Sequence, residues 1–305
     1  MAQTTVRDHI EYRAATFILG ITRLFPRPAV YGLYNAMALF IYAVGGRRRK
    51  TTLCNLRIAF PDLTEKERRR LARKSYLNIA DSLALNNLIM TGRISDEELM
   101  ELVEADDWDA FEKNLSGDEG LLAISGHLGN WELLSLYAGI RLKKQLHVIA
   151  RETNNPLLEE KVVLPLRKRF GVNVYYKKSA LLNMVKALRK GDVCALLMDQ
   201  RLNPRGGGFY MDFFGKPAPT GGSPALLQIR FGIPVQPIFL VKVAPHKHRF
   251  VLSDPIEWED NGKPEEEQVQ ELTRRHHAVL EEMIRQYPEQ WLWMHNRWGL
   301  SKEEL

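Results

Sequence analysis

Two cysteines in 305 residues, Cys54 and Cys194, leave no disulfide framework, and a reducing compartment is expected. Several catalytic signatures are also missing. There is no G-x-S-x-G for a serine nucleophile on a hydrolase elbow. No G-x-x-x-x-G-K-[ST] follows any strand-like run, so a Walker loop is excluded. Neither H-E-x-x-H nor a paired C-x-x-C occurs, and His246-x-His248 and His276-His277 lack the further ligands zinc needs. No internal repeat, low-complexity tract or nucleic-acid module is present, so no nucleic-acid partner is expected. The net charge of +6 suits an anionic lipid or an acidic protein equally well, and only its placement decides.

A full-length apolar span is lacking too. The chain from Ala29 to Gly46 carries no charge, but a spanning helix needs about 20 apolar residues and Asn35 interrupts this one. Arg47-Arg48-Arg49-Lys50 comes at once after it, a positive-inside pattern that keeps the rest of the chain in the cytoplasm and suits anionic headgroups. The polar start and the charges after the apolar run argue against a cleaved signal peptide. Residues 1–50 therefore read as N-terminal apolar helices that associate with a membrane, or as a buried hairpin with a solvated basic turn.

Residues 51–115 read as helical. Thr64-x-x-Glu67 is a capping-box start, and Leu71, Tyr76, Ile79, Leu83 and Leu88 recur near helical spacing. From residue 116 to 305 strands and helices alternate. Strands are expected at 121–125, 146–150, 172–176, 193–198, 235–243 and 249–253, and helices at 131–142, 156–170, 180–189, 223–231 and 265–287. That alternation predicts an α/β domain with a largely parallel central sheet flanked by helices.

The stretch that organises the chain is Ser125-Gly126-His127-Leu128-Gly129-Asn130-Trp131-Glu132, between an apolar strand and a helix. Ligands of open α/β sheets bind outside the carboxyl ends of strands. On a regular helix His127 and Glu132, five residues apart, would be rotated by roughly 140° and could not meet. His127 is therefore expected in the turn, with Glu132 accepting from one ring nitrogen and the other nitrogen free to take a proton. The plain alternative is a capping histidine and an unrelated surface glutamate.

Other stretches admit two readings each. Arg151 follows a strand and precedes a helix start, which suits a phosphate or a surface position. Arg167, Lys168 and Arg169 form a basic cluster or a solvated face. Asp199-Gln200-Arg201 and the glycine-rich loop after it suit an anion. Phe213-Phe214-Gly215-Lys216 reads as a turn. Three of the six tryptophans fall between Trp291 and Trp298, which suits a membrane-facing rim, an acyl-pocket wall or a core-capping segment.

Together these stretches resemble a known family. His127-Leu128-Gly129-Asn130-Trp131-Glu132 resembles the HX4(D/E) motif of glycerolipid acyltransferases. The segments 55–61 (N-L-R-I-A-F-P), 150–157 (A-R-E-T-N-N-P-L) and 287–298 (Y-P-E-Q-W-L-W-M-H-N-R-W) are similar to the late, Kdo-dependent lauroyl and myristoyl acyltransferases of lipid A biosynthesis. The resemblance implies a glycerolipid-acyltransferase-like fold and transfer of a fatty acyl chain from acyl carrier protein to a hydroxyl of a lipid A precursor. It implies His127 as general base, Glu132 as its orienting partner, and Arg151, Arg167 or Arg169, Asp199, Gln200 and Arg201 around the substrate. No cofactor or metal is implied, only an acyl-acyl carrier protein or acyl-CoA donor, and the place is the cytoplasmic face of the inner membrane. Another glycolipid or lysophospholipid acceptor, a hydrolase and a non-catalytic lipid-binding module are the alternatives.

Overall fold

The computed structural model describes residues 4–115, 119–150, 152–153, 155–176 and 180–304. Arg151, singled out above, lies outside the described residues.

Nine strands occur among the described residues: β1 (Val103–Glu104), β2 (Leu121–Ser125), β3 (Leu146–Ala150), β4 (Val172–Tyr176), β5 (Val193–Leu197), β6 (Phe209–Phe213), β7 (Lys216–Thr220), β8 (Val235–Ala244) and β9 (Lys247–Leu252). Seven form one sheet in the order β1-β9-β8-β2-β5-β3-β4. The run from β8 to β4 is parallel throughout, and β9 joins it antiparallel to β8. The largely parallel sheet is thus as the alternation predicts.

Four helices precede the sheet: α1 (Val6–Thr22), α2 (Arg27–Val44), α3 (Gly46–Ala59) and α4 (Glu65–Met90). Thr64 and Glu67 form the expected capping box at α4. No single helix is long and apolar enough to cross a membrane; α2 and α3 together pass on length and composition but are bent by 87° at their junction. α1 docks on the α/β part through Asn155, whose amide donates to the Asp8 carbonyl at 2.9 Å and to Glu11 at 3.2 Å. Two short helices, α5 (Asp96–Glu101) and α6 (Trp108–Asn114), lead into the sheet.

β2 sits at the middle, and all five of its residues are buried, as expected for a strand covered on both faces. Its alternate side chains feed two cores. Leu121 and Ala123 pack with Leu133, Leu136 and Tyr137, which lie on α7 (Trp131–Arg141). Leu122 and Ile124 pack with Leu272, Leu280 and Ile284, which lie on the long helix near the C-terminus, Glu265–Gln286.

Two sequence expectations are corrected. The single helix expected over 156–170 is three pieces, α8 (Pro156–Leu158), a π turn (Glu159–Val163) and α9 (Leu164–Arg169). Pro165 has no N–H to donate, and a widened turn just before it absorbs the break in the ladder. The aromatic turn at 213–216 is present, but it closes a hairpin, β6 with β7, where no strands were expected, and Phe213 and Phe214 are buried.

Candidate active site

β2 and β5 are neighbours, in parallel register with Ser125 opposite Leu197. Two residues beyond that pair on each strand stand His127 and Asp199. The Asp199 carboxylate accepts from the His127 backbone N–H at 2.9 Å and lies 2.7 Å from ring nitrogen Nδ1. Its second oxygen also accepts from the Trp291 indole N–H at 2.8 Å. The Gln200 amide nitrogen lies 3.2 Å from Nε2 of His127. A neutral imidazole with its proton on Nδ1 satisfies both contacts, and that tautomer leaves the Nε2 lone pair facing the cavity.

The turn that carries His127 depends on glycine. Gly129 has φ +62°, and a Cβ there would sit 2.0 Å from the Leu240 carbonyl oxygen, so any side chain is excluded by strain and by contact. α7 begins only at Trp131, with the Asn130 side chain accepting from the Leu133 N–H. His127 therefore stands off the helix, and no regular helix runs through both it and Glu132.

The carboxylate on the ring is nevertheless Asp199, not the Glu132 expected from the spacing. Glu132 is the second residue of α7, and its carboxylate accepts from the Arg167 guanidinium on α9 at 2.8 and 3.2 Å. With Asp199 at Nδ1 and Gln200 at Nε2, neither ring nitrogen is left for it. Asp199, grouped by sequence with substrate-binding residues, is instead only 3% exposed behind the ring. Arg169 points elsewhere, to Asp96 at 2.6 Å. Arg167, Gln200 and Arg201 line the histidine pocket together with Glu132.

Electrostatics follow from this packing. Burial opposes charge on His127 most strongly, but the Asp199 charge and hydrogen bond, with the Glu132 charge, prevail and raise the ring's pKa above the usual histidine value. Burial likewise opposes the Asp199 charge, yet the His127 ring and backbone N–H and the Trp291 indole together hold its pKa well below the usual carboxylate range.

The tryptophan-rich C-terminal segment, Gln290 to Arg297, is a strap behind these groups rather than a membrane rim or pocket wall. Trp291 and Trp293 are fully buried. The Leu292 N–H donates to the His127 carbonyl at 3.0 Å, and the Gly129 N–H donates to the Gln290 carbonyl at 3.0 Å. His295, held neutral by burial with its pKa pushed down to about 4, accepts from the Arg201 N–H at 3.3 Å. Buried Arg297 donates to the Pro219 carbonyl and the Thr220 hydroxyl, tying down the hairpin. Sequence reading missed Trp291, His295 and Arg297 as supports, although their density was visible. Trp291→Phe is expected to cost about 1–3 kcal/mol of stability by removing a donor from a buried carboxylate, measurable as a fall in thermal midpoint, together with a lowered kcat.

The histidine pocket, about 440 Å³, opens at the carboxyl ends of the strands. Beside it, sharing Trp131, Glu132, Ile149, Arg167 and Leu197 as wall, is a narrower slot of about 80 Å³ between α7 and the sheet. The slot is walled by Ala123, Leu134, Ala138 and Ala195 and reaches Leu142, Leu146 and Val193 at its far end. Its α7 wall runs from Trp131 to Ala138, roughly 10 Å at 1.5 Å per residue.

The chain is 24% identical over 286 residues to the lipid A biosynthesis lauroyltransferase of Escherichia coli (strain K12), covering 94% of this chain and 90% of the relative. It is 22% identical over 294 residues to the lipid A biosynthesis palmitoleoyltransferase of the same organism, and equally to a lipid A biosynthesis acyltransferase of Shigella flexneri, covering 95% of this chain and 92% of each relative. The family described as bacterial lipid A biosynthesis acyltransferase matches residues 3–299, and the chain belongs to that family.

Proposed function

We propose that this chain transfers a fatty acyl group from acyl carrier protein to a hydroxyl of a lipid A precursor, with His127 as general base and Asp199 as the group that orients it. The observation that carries the reading is the Asp199-held ring of His127, whose Nε2 meets Gln200 at the wall of a pocket that also holds Arg167 and Arg201 and is joined to an apolar slot. The acceptor hydroxyl takes the place of the Gln200 amide at Nε2. Nε2 removes its proton as the oxygen attacks the thioester carbonyl carbon. The tetrahedral adduct collapses with cleavage of the C–S bond, and the imidazolium returns the proton to the leaving thiolate. The Asp199 carboxylate stabilises the imidazolium between these steps. Arg167 and Arg201 supply positive charge at the pocket for an anionic acceptor, and Glu132 holds Arg167 in place.

The acyl chain lies in the slot between α7 and the sheet. Small residues line its middle, so filling it there should shorten the chain accepted. Ala138→Leu is expected to shift preference toward shorter acyl donors by about tenfold, at a stability cost of about 1–3 kcal/mol for overpacking. Competition between donors of different length, read by mass spectrometry of the product, checks this.

The N-terminal helices hold the enzyme at the inner membrane, with the catalytic part in the cytoplasm. What supports this is the run of exposed apolar side chains on α1, α2 and the turn between them: Val6, Leu24, Phe40 and Val44 are each more than 60% exposed. The α2–α3 bend and the basic start of α3 suit helices lying in the interface.

The test is direct. Purified protein is offered acyl-acyl carrier protein or acyl-CoA, against a lipid A precursor or a lysophospholipid. Acylation of the lipid A precursor from the carrier protein is expected. Acylation of the lysophospholipid alone, or release of free fatty acid with no acylated acceptor, would refute the reading.

A further inference from the structure

A second cleft lies away from the histidine pocket, between α1, the end of α4 and the α8–α9 helix, with a volume of about 430 Å³. Among the described residues its charged lining is Arg23, Lys161 and Arg169, with no carboxylate. Lys161 sits 5.5 Å from the ring centroid of Tyr12, itself a lining residue. Arg169 is paired with Asp96 in a half-exposed bridge, a contact worth little in solvent. The Arg23 guanidinium has no hydrogen bond or ion pair among the described residues. Leu19, Val162 and Leu166 complete the wall. The cleft thus combines a cationic rim with an apolar floor.

Its position adds a second observation. At 100° per residue, the cleft-lining positions 12, 16 and 19 share one face of α1, continued by Arg23 just past its end, and Val6, Ile10 and Phe17, continued by Leu24, form a stripe roughly 130° around from it. That stripe is strongly exposed, from 63% at Ile10 to 82% at Leu24. At the α1–α2 turn the Arg93 guanidinium donates to the carbonyls of Thr22 and Phe25, which adds a fixed cation beside the apolar tip. An acidic protein would match the cations but not the stripe. An amphiphile with an anionic head matches both, with its head among Arg23, Lys161 and Arg169 and its chains along the stripe.

We propose that this cleft seats the phosphate group of a membrane lipid, either the acceptor's own phosphate or that of a neighbouring anionic phospholipid. The proposal rests on the reading of α1 as membrane-facing and is independent of the chemistry at His127. Because Arg167 and Arg169 share α9, a lipid held here stands on the opposite side of the helix that walls the histidine pocket.

The experiment compares full-length wild type with Arg23→Ser/Lys161→Ser and with a charge-matched control, Lys216→Ser/Lys302→Ser. One arm measures binding to vesicles of phosphatidylcholine with and without phosphatidylglycerol. The other measures binding of a phosphorylated glycolipid acceptor and its dephosphorylated form in neutral micelles. About 1 kcal/mol per cation near an anionic surface predicts a loss of roughly 30-fold for the cleft variant, with its thermal midpoint unchanged. Loss confined to phosphatidylglycerol vesicles assigns the cleft to bulk phospholipid. Loss for the phosphorylated acceptor and not its dephosphorylated form assigns it to the acceptor. Wild-type binding in both arms, or an equal loss in the control variant, overturns the proposal. Both arms read binding, so they decide it even if no acyl transfer is found.

Discussion

His127→Ala is expected to lower kcat by about 10²–10⁴-fold, the usual contribution of a positioned general base, while the protein stays folded. The second half of that expectation follows from the hydrogen bonds. Asp199 loses the ring but keeps two donors, the residue-127 backbone N–H and the Trp291 indole, so its buried charge is not orphaned. The turn itself is held by backbone contacts, Leu292 N–H to the residue-127 carbonyl and Gly129 N–H to the Gln290 carbonyl, which alanine does not touch. Single-turnover acyl transfer with a saturating donor separates chemistry from binding, and far-UV circular dichroism with a thermal melt checks the fold. KM for the acceptor should change little, because the ring acts on the proton rather than on the bulk of the substrate. A variant that turns over within a few-fold of wild type would remove His127 from the mechanism.

How much of this was legible in the sequence divides by range. The parallel sheet and its helices were legible because apolar runs of five or six residues alternate with helical spacing, a local signal; β2, β3 and β4 begin and end at the expected residues. The placement of His127 in a turn was also local, a matter of two glycines and an awkward five-residue spacing. The Asp199 contact was not. It depends on β5 being the neighbour of β2 although β3 and β4 intervene in the chain, and strand order is a property of crossovers that no run of residues displays. Once that order is known, the contact follows from register, since both residues stand two beyond a paired position. The hairpin of β6 and β7 was hidden for another reason. Pro217 and Pro219 lie inside β7, and prolines argue against a central strand, but a two-stranded hairpin has an edge on each strand where a missing N–H costs nothing. The tryptophans were legible as apolar mass only; that one indole N–H serves a buried carboxylate is a tertiary fact.

Asp199→Asn should produce the second large effect, and one whose pH shift Glu132→Gln shares in sign but not in size. The amide can donate to Nδ1, which stabilises the tautomer with its proton on Nε2 and removes the base; kcat is expected to fall by about 10²–10⁴-fold. The residual activity should also move in pH. In the wild type Asp199 outweighs burial and holds the His127 pKa above about 6.5. With the charge gone burial dominates, the pKa falls, and the acidic limb of the kcat–pH profile moves to lower pH. Stability carries the same signature. A histidine whose pKa is raised by folding contributes stability that is complete below about 6.5 and is lost as pH rises through its folded pKa; a carboxylate whose pKa is lowered contributes above about 3.9 and loses it as pH falls. The pair therefore stabilises most between about pH 4 and 6.5, and Asp199→Asn should narrow the gap between melts at pH 5.5 and pH 8.5. Glu132→Gln acts on the ring only through a more distant charge and chiefly frees Arg167. Its main expected effect is a raised KM for the acceptor with a smaller change in kcat. If instead Glu132→Gln shifts the acidic limb by more than Asp199→Asn does, the orienting role belongs to the residue that the five-residue spacing first suggested.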